Sequence, residues 1–166
     1  MKSNINLDNI KVVVFDFDNT LAIHKDEDYA KKRAESEDTY FSYYSNAYLY
    51  PNIFYDEIEP CIRSNTLYNL IKILRSKNIK MYCLSGMKSS FHFNAKKHFI
   101  SKQYGDDIEL ITVGNQELKV VGVKIIQKIN NCKLDEILFI DDLKRTIKYL
   151  NDFGIKAINV NDIFVS

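Results

Sequence analysis

Cysteine is scarce in this chain: Cys61, Cys83 and Cys132 are its three thiols among 166 residues. They lie far apart, form no C-x-x-C pair and leave one thiol over whichever two are joined, which excludes a disulfide framework or a zinc knuckle. An excess of charge is also missing. Lys+Arg 23 against Asp+Glu 22 leaves a formal charge of +1, so there is no overall basic field for gripping a polyphosphate backbone, and nucleic acid gains no support as a partner. No apolar run approaches the ~18 residues that a membrane span needs. The opening stretch MKSNINLDNIK lacks the apolar segment of a signal peptide. The expected compartment is the cytoplasm, with no membrane partner.

What is present is an ordinary globular composition, 46% hydrophobic and 27% charged, which can bury a core. The length suits one domain, residues 1–166, at roughly 100 to 200 residues per domain. Five short apolar runs read as strands: Lys11 to Phe15, Ile79 to Leu84, Ile108 to Val113, Ile137 to Ile140 and Lys156 to Val160. The first is nearly continuous in β-branched residues, as in a strand buried on both faces.

Between the runs lie segments with helical spacing. Leu67, Leu70, Ile71 and Leu74 fall at i, i+3, i+4, i+7, and Phe91, Ala95 and Phe99 repeat every four. Val121, Ile125 and Ile129 make a third apolar stripe, closing at Asn130 and Asn131. Leu143, Ile147 and Leu150 make a fourth that stops at Gly154, a natural residue just past a helix end. Strands alternating with helices predict an α/β, Rossmann-like three-layer fold. Its five-stranded parallel sheet has order 3-2-1-4-5 and carries right-handed crossovers.

One stretch breaks the rhythm. Lys25 to Asp38 is mostly charged, and Thr39 to Tyr55 holds Tyr40, Phe41, Tyr43, Tyr44, Tyr48, Tyr50, Phe54 and Tyr55. It is too long for an ordinary strand-to-helix loop. Residues 25–55 read as a small, mostly helical insertion or cap over the strand ends, whose tyrosines serve either as its core or as a platform for a substrate ring.

A parallel sheet of this kind places ligands beyond the carboxyl ends of its strands. Asp16 and Asp18 follow the first strand in DFDNT, Ser85 and Gly86 follow the second, Lys119 follows the third, and Asp141 and Asp142 follow the fourth. Each segment alone has a plainer reading: an Asx turn, a strand-to-helix turn, a solvated lysine, a capping acid. Together the topology gathers four acids and a lysine at one edge, which is costly unless a cation sits there. All-oxygen ligands suit a hard ion such as Mg²⁺, which shares its coordination with water and phosphate.

In these residues the chain resembles the haloacid dehalogenase (HAD) superfamily of phosphohydrolases, over nearly all of its length outside residues 25–55. DFDNT, preceded by VVVF and followed by Leu21, matches the Asp-x-Asp-x-Thr/Val motif. Ser85 in CLSG matches the second motif, and Asp141 and Asp142 in FIDDL match the fourth. Lys119, 22 residues before Asp141, matches the third better than Lys124.

The resemblance implies a Mg²⁺-dependent phosphatase acting on a small-molecule phosphomonoester, a nucleotide or another metabolite. Asp16 would be the nucleophile that forms an aspartyl-phosphate, and Asp18 the general acid and base. Ser85, Gly86, Lys119 and Thr20 would bind phosphate. The metal would lie on Asp16, the Asp18 carbonyl and Asp141 or Asp142. The acid at position 18 argues against dehalogenation. The competing reading is a non-hydrolytic phosphoacceptor or signalling domain on a similar fold. Such receivers take the phosphoryl group on an Asp ending the third strand, where this chain has Val113, Gly114 and Asn115.

Overall fold

Val12, Val13, Val14 and Phe15 are all buried, because the strand they form is flanked on both sides. This strand, β1 (Val12–Phe15), pairs in parallel with β4 (Lys80–Gly86) and with β6 (Ile137–Asp141), so that Val14 stands opposite Tyr82 on one side and Phe139 on the other. Outside these lie β5 (Ile108–Val113) and β7 (Lys156–Asn159), also parallel, in the order β5-β4-β1-β6-β7. In chain order of the five sheet strands this is the expected 3-2-1-4-5 arrangement. The computed structural model describes residues 5–25, 58–61, 64–86 and 90–164.

Successive strand residues point to opposite faces, and the core divides accordingly. Val13, Phe15, Met81, Cys83, Leu138 and Ile140 pack on one face beneath α1 (Ser64–Ser76) and α2 (Ser90–Tyr104). Val12, Val14, Tyr82, Leu84, Ile137 and Phe139 pack on the other beneath α3 (Lys119–Ile129) and α4 (Lys144–Asp152). The expected stripe of α1 is the buried one, since Leu67, Leu70, Ile71 and Leu74 are at most 1% exposed. Ala95 and Phe99 of α2 and Leu150 of α4 are buried too, and Gly154 at φ +76° ends α4 as anticipated.

The stripe of α3 is a correction. Val121, Ile125 and Ile129 are 48%, 46% and 62% exposed, and the helix buries Lys119, Val120, Gly122, Val123 and Ile126 instead. The reason lies at its first residue: burying the Lys119 side chain at the strand ends fixes the rotation of the helix, and the 123 and 126 positions follow it inward.

Two short strands were not anticipated. β2 (Ala22–His24) and β3 (Ile58–Pro60) form an antiparallel ribbon in which Ile23 stands opposite Glu59. The ribbon brings the two ends of the stretch between them side by side. The expected insertion itself, beyond Lys25, lies outside the described residues.

Candidate active site

β1 delivers Asp16 to the centre of the sheet edge, and the Asp16 amide donates to the Ile140 carbonyl at 2.8 Å, keeping it level with the end of β6. The chain then turns sharply. The Phe17 carbonyl accepts from the amides of Thr20, Leu21 and Ala22, and Asn19 adopts φ +57°, a left-handed conformation that Asn tolerates better than most residues. DFDNT is therefore a folded loop whose first acid points to a fixed place.

On the neighbouring strand Asp141 is fully buried. Its Oδ1 accepts from the Leu143 amide at 2.8 Å and its Oδ2 from Lys119 Nζ at 2.8 Å. Lys119 Nζ also lies 2.9 Å from Asp16 Oδ1, so one buried ammonium joins the two carboxylates. The lysine reaches them from the first turn of α3, and Asn115 Oδ1 shapes its approach by accepting the Leu118 amide at 3.0 Å. Asp142 is half-buried beside them, its carbonyl held by Asn159 Nδ2 at 2.8 Å.

Asp16, Asp141 and Asp142 each offer one carboxylate oxygen, all within 4.8 Å of one another. Burial pushes the Asp16 carboxyl up to about 7, with Asp141 and Asp18 adding to the rise and Lys119 opposing it. Burial first and Asp141 second raise Asp142 to about 6, against a hydrogen bond from Asn19. Burial pulls the Lys119 ammonium down, and Asp16 and Asp141 outweigh it, for a net rise. The cluster thus holds negative charge at a cost that one lysine does not remove. An all-oxygen, partly buried donor set of this kind fits a hard divalent cation.

The remaining anticipated residues are near this centre but differently engaged. Ser85 is fully buried within β4, opposite Thr112, and Gly86 ends the strand opposite Val113. Both therefore lie inside the strand rather than after it. Thr20 is fully buried and its Oγ1 has no hydrogen-bond partner among the described residues. The Asp18 carboxylate points to Lys96, with Oδ2 at 2.9 Å from Nζ. Lys124, the rejected alternative to Lys119, is exposed, and its ammonium lies 5.9 Å from the centre of the Phe153 ring.

Lys96 is the residue that sequence reasoning missed. It is 1% exposed and donates to Ser85 Oγ at 2.7 Å as well as to Asp18. A signal for it existed, since Lys96 precedes Phe99 by three residues and so shares the inward face of α2.

No protein-family model and no curated protein matches the sequence. Solved structures do match. A haloacid dehalogenase-like protein from Bacteroides fragilis superimposes with a TM-score of 0.61 at 14% identity, covering 95% of this chain and 90% of that one. The N-terminal part of another Bacteroides fragilis protein, containing a phosphatase domain complexed with Mg, gives 0.59 at 15% identity, over 93% of this chain and 38% of that one. A HAD-family enzyme from Bacteroides thetaiotaomicron, a magnesium complex, gives 0.54 at 15% identity, over 91% and 93%. These likenesses establish the fold, which is that of the haloacid dehalogenase-like proteins.

Proposed function

We propose that this protein is a Mg²⁺-dependent phosphatase of the HAD superfamily that hydrolyses a small-molecule phosphomonoester through an aspartyl-phosphate on Asp16. The observation that carries the reading is the buried convergence of Asp16, Asp141 and Asp142, with Lys119 bridging Asp16 and Asp141. The magnesium complexes among the similar structures support it.

Asp16, Asp141 or Asp142 and the Asp18 carbonyl would hold the ion, which when bound neutralises charge and orients the phosphoryl group. An Asp16 carboxylate oxygen attacks phosphorus in line and the bond to the ester oxygen breaks. Asp18 gives its proton to that oxygen, releasing an alcohol. Asp18 then takes a proton from water, whose oxygen attacks the aspartyl-phosphate and frees phosphate and Asp16. Lys119, with Ser85 and the Gly86 and Thr20 segments, stabilises the charge spread over the phosphoryl oxygens. On this reading the chain is one domain with residues 25–55 as a small cap, whose tyrosines serve either as the cap's own core or as a platform for a ring-bearing leaving group such as a nucleotide.

The test uses purified protein with Mg²⁺ and 4-nitrophenyl phosphate, then nucleoside monophosphates, sugar phosphates and phosphopeptides. Hydrolysis is expected, abolished by chelator and lowered by several orders of magnitude in a folded Asp16→Asn variant. Turnover that survives in that variant would remove the covalent route. A wild type inactive on every substrate would remove the phosphatase reading.

A further inference from the structure

Lysine carries three donors and no acceptor, and the surroundings of Lys96 engage its ammonium on three sides. Ser85 Oγ lies at 2.7 Å, Asp18 Oδ2 at 2.9 Å, and the centre of the Phe17 ring at 4.4 Å. Phe17 is itself fixed, fully buried and edge-on to Phe99 of α2 at 5.6 Å. The residue between the two acids of DFDNT thus forms the wall that aims Lys96. A buried ammonium held between a hydroxyl, a carboxylate and an aromatic face costs desolvation. A purely apolar side chain would pack α2 on the sheet without that cost.

On the phosphatase reading above, we propose that Lys96 is a positioning residue of the active site, coupling the phosphate contact Ser85 to the leaving-group acid Asp18. A serine hydroxyl has one donor and two acceptor sites. Because the ammonium occupies an acceptor site on Oγ, the Ser85 proton is left to point at a phosphoryl oxygen. The same ammonium turns the Asp18 carboxylate toward Lys96, whereas the carboxylates of Asp16, Asp141 and Asp142 gather around one place. A phosphoryl dianion arriving at Ser85 shares this ammonium, which keeps Asp18 beside the phosphate contact where the ester oxygen comes within its reach. Lys96 touches no reacting atom in this scheme. It sets where two residues that do so point, and Lys119 has a separate role at Asp16 and Asp141.

The coupling has a signature that a structural lysine lacks. A 4-nitrophenolate leaves without a proton, whereas an alkoxide needs one from Asp18. The experiment measures kcat and KM of wild type and Lys96→Met on 4-nitrophenyl phosphate and on glycerol 2-phosphate with Mg²⁺, with folding checked by circular dichroism. Inorganic phosphate affinity in Mg²⁺ is measured by calorimetry. The expected result is that kcat/KM for the alkyl ester falls about tenfold further than for the aryl ester, and that phosphate binds more weakly. Lys96→Gln, which keeps neutral donors, should lie between wild type and Lys96→Met, and it carries the same measurement if Lys96→Met does not fold. Equal losses on both esters, or a relative gain for the alkyl ester, would overturn the proposal. Should the wild type hydrolyse neither these esters nor any substrate of the wider screen, the phosphatase reading fails on its own, and phosphate affinity decides for Lys96: weaker binding in the variant sustains its role at an anion site, and unchanged binding ends it.

Discussion

Lys119 Nζ stands 2.9 Å from Asp16 Oδ1, with side-chain exposures of only 0% and 4%. The same ammonium is 2.8 Å from the equally buried Asp141, so it is the nearest compensating charge for two carboxylates removed from water. Taking away one partner of such a pair costs about 3–5 kcal/mol, because the other charge stays buried and unmatched. Lys119→Met is therefore expected to lose about that much stability in chelator, measured by urea unfolding. Mg²⁺ should restore part of it by supplying the missing positive charge. A loss below about 1 kcal/mol would mean that water, or a proton on Asp16, already compensates for the missing lysine.

The raised carboxyls make a second prediction, for metal-free protein. Asp16 moves from 3.8 to about 7 and Asp142 from 3.8 to about 6. Between those limits the folded state binds more protons than the unfolded state, so stability falls as pH rises. Unfolding midpoints in chelator should decline from about pH 4 to about pH 7. Asp142→Asn should lessen the slope between about pH 4 and 6, and Asp16→Asn should lessen it throughout and remove it between about pH 6 and 7. Excess Mg²⁺ should act in the opposite sense, stabilising more as pH rises, because it binds the ionised carboxylates. A flat profile in chelator for both the wild type and the variants would contradict the burial argument.

A third prediction concerns the scaffold behind the site. Arg75 of α1 donates Nε to Asp107 Oδ2 at 2.7 Å and Nη2 to Asp107 Oδ1 at 2.5 Å, and Nη2 also donates to the Tyr104 carbonyl at the end of α2. Gly105 follows at φ +111°, and a Cβ there would lie 2.7 Å from Arg75 Nη2. Gly105→Ala thus meets both an unfavourable backbone region and the clip itself, for an expected loss of about 1–3 kcal/mol. Arg75→Met should lose less, about 0–1 kcal/mol, since that ion pair is largely exposed. In the double variant most of the Gly105→Ala cost should persist if the backbone dominates. Its disappearance would assign the cost to the displaced arginine.

These residues also mark how much of the fold and the site is legible in the amino-acid sequence. The central strand, the α1 stripe and the acids at strand ends could be read because period and position alone determine them. Lys119 was readable through its place after the third strand together with the motif spacing that the family resemblance implies. Lys96 was not singled out, because its role depends on Asp18, 78 residues away, and on Ser85, 11 residues away. Helical phase with Phe99 separates it from Lys97, which is exposed, but phase alone does not reveal a partner. The β2–β3 ribbon escaped because AIH and IEP are three-residue strands with no run to detect, and the second ends in proline. Such pairings are set by the chain on either side rather than by local propensity.

The helix phase of α3 was misread for a related reason, and it supplies the last prediction. Apolar residues occupy both sides of this helix, so the four-residue period of Val121, Ile125 and Ile129 competes with that of Val120, Val123 and Ile126. Hydrophobicity does not choose between them; the buried lysine does. Adjacent positions should therefore respond in opposite ways. Ile126 is 0% exposed, and Ile126→Ala is expected to cost about 2–5 kcal/mol through lost burial and the cavity it leaves. Ile125 is 46% exposed, and Ile125→Lys should change stability by less than about 0.5 kcal/mol. Urea unfolding of the two variants distinguishes the phases. If Ile125→Lys were the damaging change, α3 would be rotated from the position described. Lys119 could not then reach Asp16 and Asp141 from its first turn.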